Sequence, residues 1–233
     1  MLVPFNAALF VTPTLAAAAL LRNPAWGWRF CRVVANGFLR LCRLPLLLQG
    51  LEHLPPSGPF VVAVNHASYL DGLVLLAALR ERGYSFAAKR ELSNSLLPRM
   101  FLQAIGTDFV ERVDIKQGVE DASRLAESVR AGRTPIFFPE GTFTRSAGLL
   151  PFRMGAFVIA AQTGVPLVPV TLRGTRSVLR DGSWFARRGA IVVNIAAPLT
   201  PQGNDWNAAV ALRDAARAQI LRRCGEPDLA PRG

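Results

Sequence analysis

The chain has 233 residues, 51% of them hydrophobic, and a formal charge of +11 carried almost wholly by arginine, since Lys89 and Lys116 are the only lysines among 27 basic residues. That length buries one substantial core and fits a single α/β domain with an appended segment, and the surplus of cations implies an anionic partner: phosphate groups, nucleic acid or an acidic membrane surface. Two histidines, three scattered cysteines (Cys31, Cys42, Cys224) and the lack of any C-x-x-C, G-x-S-x-G, G-x-x-x-x-G-K-[ST] or G-x-G-x-x-G spacing argue against a disulfide framework, a zinc site, a serine-elbow hydrolase and a nucleotide cofactor.

The first fifty residues hold five arginines (Arg22, Arg29, Arg32, Arg40, Arg43) and no acid before Glu52. Residues 2–21 are uncharged, and as a helix would reach roughly 30 Å, the thickness of a hydrocarbon core. Pro4 and Pro13 oppose a straight span, and no positive region precedes the apolar run as a secretory signal requires. A second apolar piece, 33–48, is interrupted by Arg40, Arg43 and Pro45. Together they predict an apolar helical hairpin, joined around Asn23-Pro24 and the aromatic-basic stretch 26–32. It would dip into one leaflet, with Trp26 and Trp28 at headgroup depth and Arg22, Arg29 and Arg32 on lipid phosphates. The alternative is a helical hairpin covering the core.

From Glu52 onward, short apolar runs alternate with helical patterns, which predicts a mixed, largely parallel sheet flanked by helices. Strands are expected at 60–64, 84–88, 108–110, 135–138, 165–172 and 190–195, and helices at 70–82, 92–104, 115–131, 154–163 and 206–223. The division expected is a membrane-associating segment over 1–50, a catalytic domain over 51–224 and a disordered tail over 225–233.

In such sheets ligands gather at the carboxyl ends of strands, and polar motifs follow several of the expected strands: NHASYLD (65–71), ERVD (111–114), PEGTFTR (139–145) and RGTR (173–176). His66 is the better placed of the two histidines, and imidazole is the side chain suited to proton transfer near neutral pH. Five residues along one helix would set His66 and Asp71 about 140° apart, so the strand-to-helix turn must fold His66 back for the two to meet. Asp71 then orients the imidazole, or it caps the helix, since Ser68-x-x-Asp71 is also a capping box; both roles can coexist. Their positions after expected strands favour Glu140, Arg112 and Arg145 as site residues; the alternatives are a capping or salt-bridged carboxylate for Glu140 and solvated surface charge for the two arginines.

Asn65-His66-x-x-x-x-Asp71, then 106–112 (GTDFVER), then Phe138-Pro139-Glu140-Gly141-Thr142, then 165–170 (VPLVPV) form four blocks in an order that resembles the PlsC-like glycerophospholipid acyltransferase superfamily, over roughly residues 50–200. The resemblance implies acyl transfer from acyl-CoA or acyl carrier protein to the free hydroxyl of lysophosphatidic acid, without a covalent enzyme intermediate, cofactor or metal. It makes His66 the general base and Asp71 its orienting partner, with Asn65, Lys89, Arg112, Glu140, Gly141, Thr142 and Arg145 at the substrate. Many members place arginine directly after Glu-Gly-Thr, where this chain has Phe143; Arg145 then substitutes for it, or the acceptor is another lysophospholipid or a lyso-ornithine lipid. Five arginines (Arg173, Arg176, Arg180, Arg187, Arg188) against Asp181 alone make a patch suited to CoA phosphates, a carrier protein or an anionic membrane. A nucleic-acid partner is not expected, because no aromatics interleave with the arginines as a base-stacking platform requires. The expected location is the cytoplasmic face of the inner membrane.

Overall fold

The computed structural model describes residues 3–4, 23–89, 99, 102–103, 105–110, 115–183 and 185–230. Strands β1 (Val3–Pro4) and β8 (Phe185–Ala186) pair antiparallel as a separate ribbon. The main sheet contains β2 (Leu46–Gln49), β3 (Val61–Val64), β4 (Tyr84–Lys89), β5 (Asp108–Val110), β6 (Thr134–Phe137), β7 (Leu167–Arg173) and β9 (Ile191–Ile195). Its order is β2-β9-β7-β3-β6-β4-β5, and every neighbouring pair is parallel except β7 and β9. The fold is therefore mixed and largely parallel, as the alternation of patterns predicts.

Strand β3 explains the layering. All four of its residues are buried, as a central parallel strand covered on both faces requires. Alternate side chains enter opposite cores. Val62 and Val64 face helices α1 (Pro24–Leu41) and α2 (Leu70–Ala78). Val61 and Ala63 face α3 (Ile115–Arg130), α4 (Gly155–Thr163) and α6 (Trp206–Cys224). A one-turn helix, α5 (Thr175–Val178), follows β7. The helix expected over 92–104 lies, apart from residues 99, 102 and 103, outside the described residues.

The expected N-terminal hairpin is corrected over its described half. Residues 26–32 are not a connection but the first two turns of α1. The side chain of Asn23 caps that helix by accepting from the Ala25 amide at 2.9 Å, and Pro24 opens it. At the other end Arg43 takes φ 53°, and its amide donates to Arg40 while that of Leu44 donates to Leu39 at 2.9 Å, a Schellman stop followed by Pro45. Between the caps, Trp28, Cys31, Ala35, Phe38, Leu39 and Cys42 form one buried stripe at helical spacing. Trp28, expected at headgroup depth, is 1% exposed. It stacks on Tyr84 and Phe86, and its indole N–H donates to the Leu79 carbonyl at 3.1 Å. Burial of a ring that size is worth on the order of 4 kcal/mol. Since α1 covers the core and β2 is an edge strand, residue 50 is no boundary. The hairpin's first arm, 5–22, lies outside the described residues.

The expected disordered tail is also corrected over 225–230. Those residues lie along the 148–150 turn, where the amide of Leu149 donates to the Pro227 carbonyl at 2.8 Å and that of Leu229 to the Leu149 carbonyl at 3.1 Å.

Candidate active site

Strand β3 sits between β6 and β7, parallel to both, so the loops at the carboxyl ends of all three come together. Asn65 ties the first to the third. Its amide donates to the Leu172 carbonyl at 2.9 Å and accepts from the Leu172 N–H at 2.7 Å, and its side chain is buried. Expected at the substrate, Asn65 instead holds β3 to β7.

The turn over 66–69 precedes α2 and folds His66 back over it. The imidazole Nδ1 lies 2.8 Å from Asp71 Oδ2, and the same oxygen accepts from the amides of Ala67 at 2.6 Å and Ser68 at 2.8 Å. One buried carboxylate thus caps the turn and orients the ring. A carboxylate only accepts, so Nδ1 donates, and in the neutral ring Nε2 keeps its lone pair. Phe138 stacks on the imidazole at 4.2 Å and Phe143 meets it edge-on at 4.4 Å, leaving the side chain 20% exposed. Phe143 also packs edge-on against Tyr69 at 4.7 Å, whose hydroxyl donates to Asp181 at 3.0 Å. The two phenylalanines escape motif reading because their contribution is ring contact, although both stand inside the FPEGTF string.

Glu140, expected in the acceptor pocket, is buried and clasps two backbone segments. Oε1 accepts from the His66 amide at 2.6 Å and Oε2 from the Leu150 amide at 2.8 Å. Gly141 turns the chain behind it at φ 75°, a conformation that side chains disfavour. Thr142 is exposed beside this turn. Lys89 ends β4, and Arg112 lies outside the described residues. Among the described residues no group of three or more His, Cys, Asp or Glu could hold a metal ion.

Arg145 is exposed and lines a cavity of about 310 Å³ with Arg176, Ser177, Arg180 and Glu226. Arg176 pairs with Glu226 at 2.8 Å and donates to the Thr144 carbonyl. The guanidinium groups of Arg145 and Arg180 have no hydrogen-bonding or ionic partner among the described residues, so both remain available to one anion. Arg180 belongs to the basic patch visible in the sequence, but its convergence with Arg145 depends on the fold.

Burial pushes the Glu140 carboxyl up to about 7, with Asp71 adding to the rise and the two amide donors and Arg176 opposing it. The native state therefore retains a proton that the unfolded chain releases near 4.5. The stabilisation is complete below that value and is lost as pH rises through 7, amounting to roughly 3 kcal/mol. Urea unfolding at pH 5 and pH 8 should show this part of the pH dependence in the parent chain and not in Glu140→Gln. A parent-to-variant stability difference that is the same at both pH values would refute it.

A family model described as Acyltransferase matches residues 46–173, more than half of the chain. The chain is 39% identical over 137 residues to the chloroplastic 1-acyl-sn-glycerol-3-phosphate acyltransferase BAT2 of Brassica napus, an alignment covering 58% of this chain and 39% of that protein. It is 30% identical over 175 residues to the human 1-acyl-sn-glycerol-3-phosphate acyltransferase alpha, covering 75% of this chain and 62% of that one. The chain thus spans about 39% to 62% of the length of these relatives. The crystal structure of the 1-acyl-sn-glycerophosphate (LPA) acyltransferase PlsC from Thermotoga maritima shares the fold, with a TM-score of 0.75 at 23% identity, covering 94% of this chain and 90% of that one.

Proposed function

The chain belongs to the acyltransferase family, and on that premise we propose that it moves a fatty acyl group from acyl-CoA or acyl carrier protein to the free hydroxyl of lysophosphatidic acid, giving phosphatidic acid. The observation that carries this reading is the 2.8 Å contact of His66 with Asp71 at a partly open site. Nε2 of His66 takes the proton of the acceptor hydroxyl as its oxygen attacks the thioester carbonyl. The tetrahedral adduct collapses, the carbon–sulfur bond breaks, and the thiolate leaves with the proton returned by the imidazolium. Asp71 holds the ring in the reactive tautomer throughout. The acceptor is deprotonated where it attacks, so no nucleophilic serine or cysteine is needed.

The acceptor phosphate lies against Arg145 and Arg180, whose free guanidinium groups flank the cavity beside the loop that follows Glu-Gly-Thr. Phe143 stands where many members carry arginine and serves as the wall of the imidazole pocket, so phosphate recognition passes to Arg145. Asn65 and Glu140 support the site from behind. Trp26, Val33, Leu41, Leu47, Leu48 and Leu51 are exposed on or beside α1 and β2, interleaved with exposed Arg29, Arg40 and Arg43. These exposed apolar and basic side chains are the ones proposed to meet an anionic membrane, on the cytoplasmic side of the inner membrane. No helix among the described residues is long and apolar enough to cross one.

The test supplies purified protein with labelled acyl-CoA or acyl carrier protein and a panel of acceptors: lysophosphatidic acid, other lysophospholipids, a lyso-ornithine lipid and monoacylglycerol. Label should enter phosphatidic acid. The double variant Arg145→Ala, Arg180→Ala should raise the KM for lysophosphatidic acid by at least about tenfold, the size of one lost charge-assisted hydrogen bond, with little change for monoacylglycerol. No label in phosphatidic acid refutes the reading, and label in another lipid reassigns the acceptor.

A further inference from the structure

We propose that Glu226, in the C-terminal segment, is a positioning residue that holds the backbone of His66 in register through the 148–150 turn and Glu140. This rests on the acyl-transfer reading for its kinetic consequence, but its structural content stands apart from it.

Three consecutive amides carry the connection. The Gly148 N–H donates to Glu226 Oε2 at 2.6 Å, the Leu149 N–H to the Pro227 carbonyl at 2.8 Å, and the Leu150 N–H to Glu140 Oε2 at 2.8 Å. The other oxygen of Glu140 accepts from the His66 amide at 2.6 Å. The tail therefore grips one end of a short turn whose other end is tied to the backbone of the candidate base. Gly148 permits the close approach. Its φ is 152°, and a Cβ there would lie 2.1 Å from a methyl of Leu229. Arg217 secures the same turn from α6, donating to the Leu149 carbonyl at 3.1 Å and pairing with Asp228 at 2.5 Å.

Glu226 also reaches the opposite side of the site. Its Oε1 accepts from Arg176 Nε at 2.8 Å, and Arg176 donates onward to the Thr144 carbonyl, in the loop that carries Thr142 and Arg145. Both members of this pair are largely enclosed, with side chains 10% and 13% exposed. Removing the carboxylate leaves an enclosed guanidinium without its counter-ion and an amide without its acceptor, so the surrounding turn must rearrange. A carboxylate at position 226 thus joins α5, the 139–150 loop and, through Glu140, the His66 turn.

The experiment compares the full chain with Glu226→Ala and Glu226→Gln, reading kcat, the KM of the acyl donor and amide hydrogen exchange over 64–68 and 146–151. Alanine should speed exchange in both segments and lower kcat by about 10- to 100-fold, as expected for a small displacement of a reacting group, with the donor KM unchanged. Glutamine, nearly isosteric, keeps an acceptor for one of the two donors and should fall between. It also serves if the alanine variant does not fold. Unchanged exchange over 64–68, or a glutamine variant matching the parent in both readouts, overturns the proposal. So does an alanine variant that loses melting temperature but keeps kcat, since that marks a merely structural contact. If the parent chain acylates no acceptor, the functional reading fails by itself, and the exchange measurements still decide the connection.

Discussion

Replacing His66 with alanine is expected to lower kcat for lysophosphatidic acid acylation by about 10² to 10⁴, the range typical of a lost general base, while the fold is retained. Nε2 is the ring nitrogen left to take a proton from the acceptor, because Nδ1 is engaged with Asp71 at 2.8 Å. Retention of the fold follows from the remaining contacts of Asp71, which keeps the amides of Ala67 and Ser68 as donors at 2.6 and 2.8 Å after the ring is removed. Steady-state turnover and far-ultraviolet circular dichroism on one preparation check both halves. Near-normal turnover by a folded alanine variant would rule His66 out as the base.

Asp71→Asn should cost a comparable factor by a different route. A carboxamide has an N–H₂ end as well as an oxygen, and the oxygen is needed by the two backbone amides that Asp71 Oδ2 now serves. That oxygen also faces Nδ1 and keeps the ring tautomer, so what is lost is the negative charge that stabilises the imidazolium formed when Nε2 takes the acceptor's proton. The expected loss in kcat is about 10² to 10⁴, with melting temperature nearly unchanged because the cap survives. The measurement separates the two roles that the S-x-x-D spacing leaves open. Activity within tenfold of the parent would leave Asp71 with capping alone.

The strands near the site were legible because a buried parallel strand reads as an uninterrupted apolar run: FVVAV before His66 and LVPVTL before Arg173 each became a strand. Strand β2 escaped. Leu46–Gln49 follows Pro45 and extends an apolar segment, and nothing local separates a strand from the end of a helix there. Its identity comes from parallel pairing with β9, with Leu46 opposite Ile191. Helix α1 left a signal that the aromatic-basic character of 26–32 obscured. An Asn-Pro start and apolar residues at 28, 31, 35, 38, 39 and 42 are a helix opening and a helical period.

The site divides in the same way. Spacing made His66 and Asp71 a candidate pair only if the turn before α2 folded the ring back, and that turn lies within seven residues of chain. Glu140 could be recognised as important but not understood, since its partners are the amides of residues 66 and 150, far from it or invisible to composition.

Residue order alone determined the alternation of strands and helices, the basic character of the surface and the candidate acid–base pair, because each depends on apolar period, side-chain charge or neighbours a few positions apart. Tertiary structure alone decided that α1 packs on the core, that Asn65 and Glu140 brace the loops, that Arg145 and Arg180 face one cavity and that the tail grips the 148–150 turn. Each of these joins segments widely separated in the chain. Such contacts form only when burial of the two apolar cores brings the segments together, and no local preference encodes that.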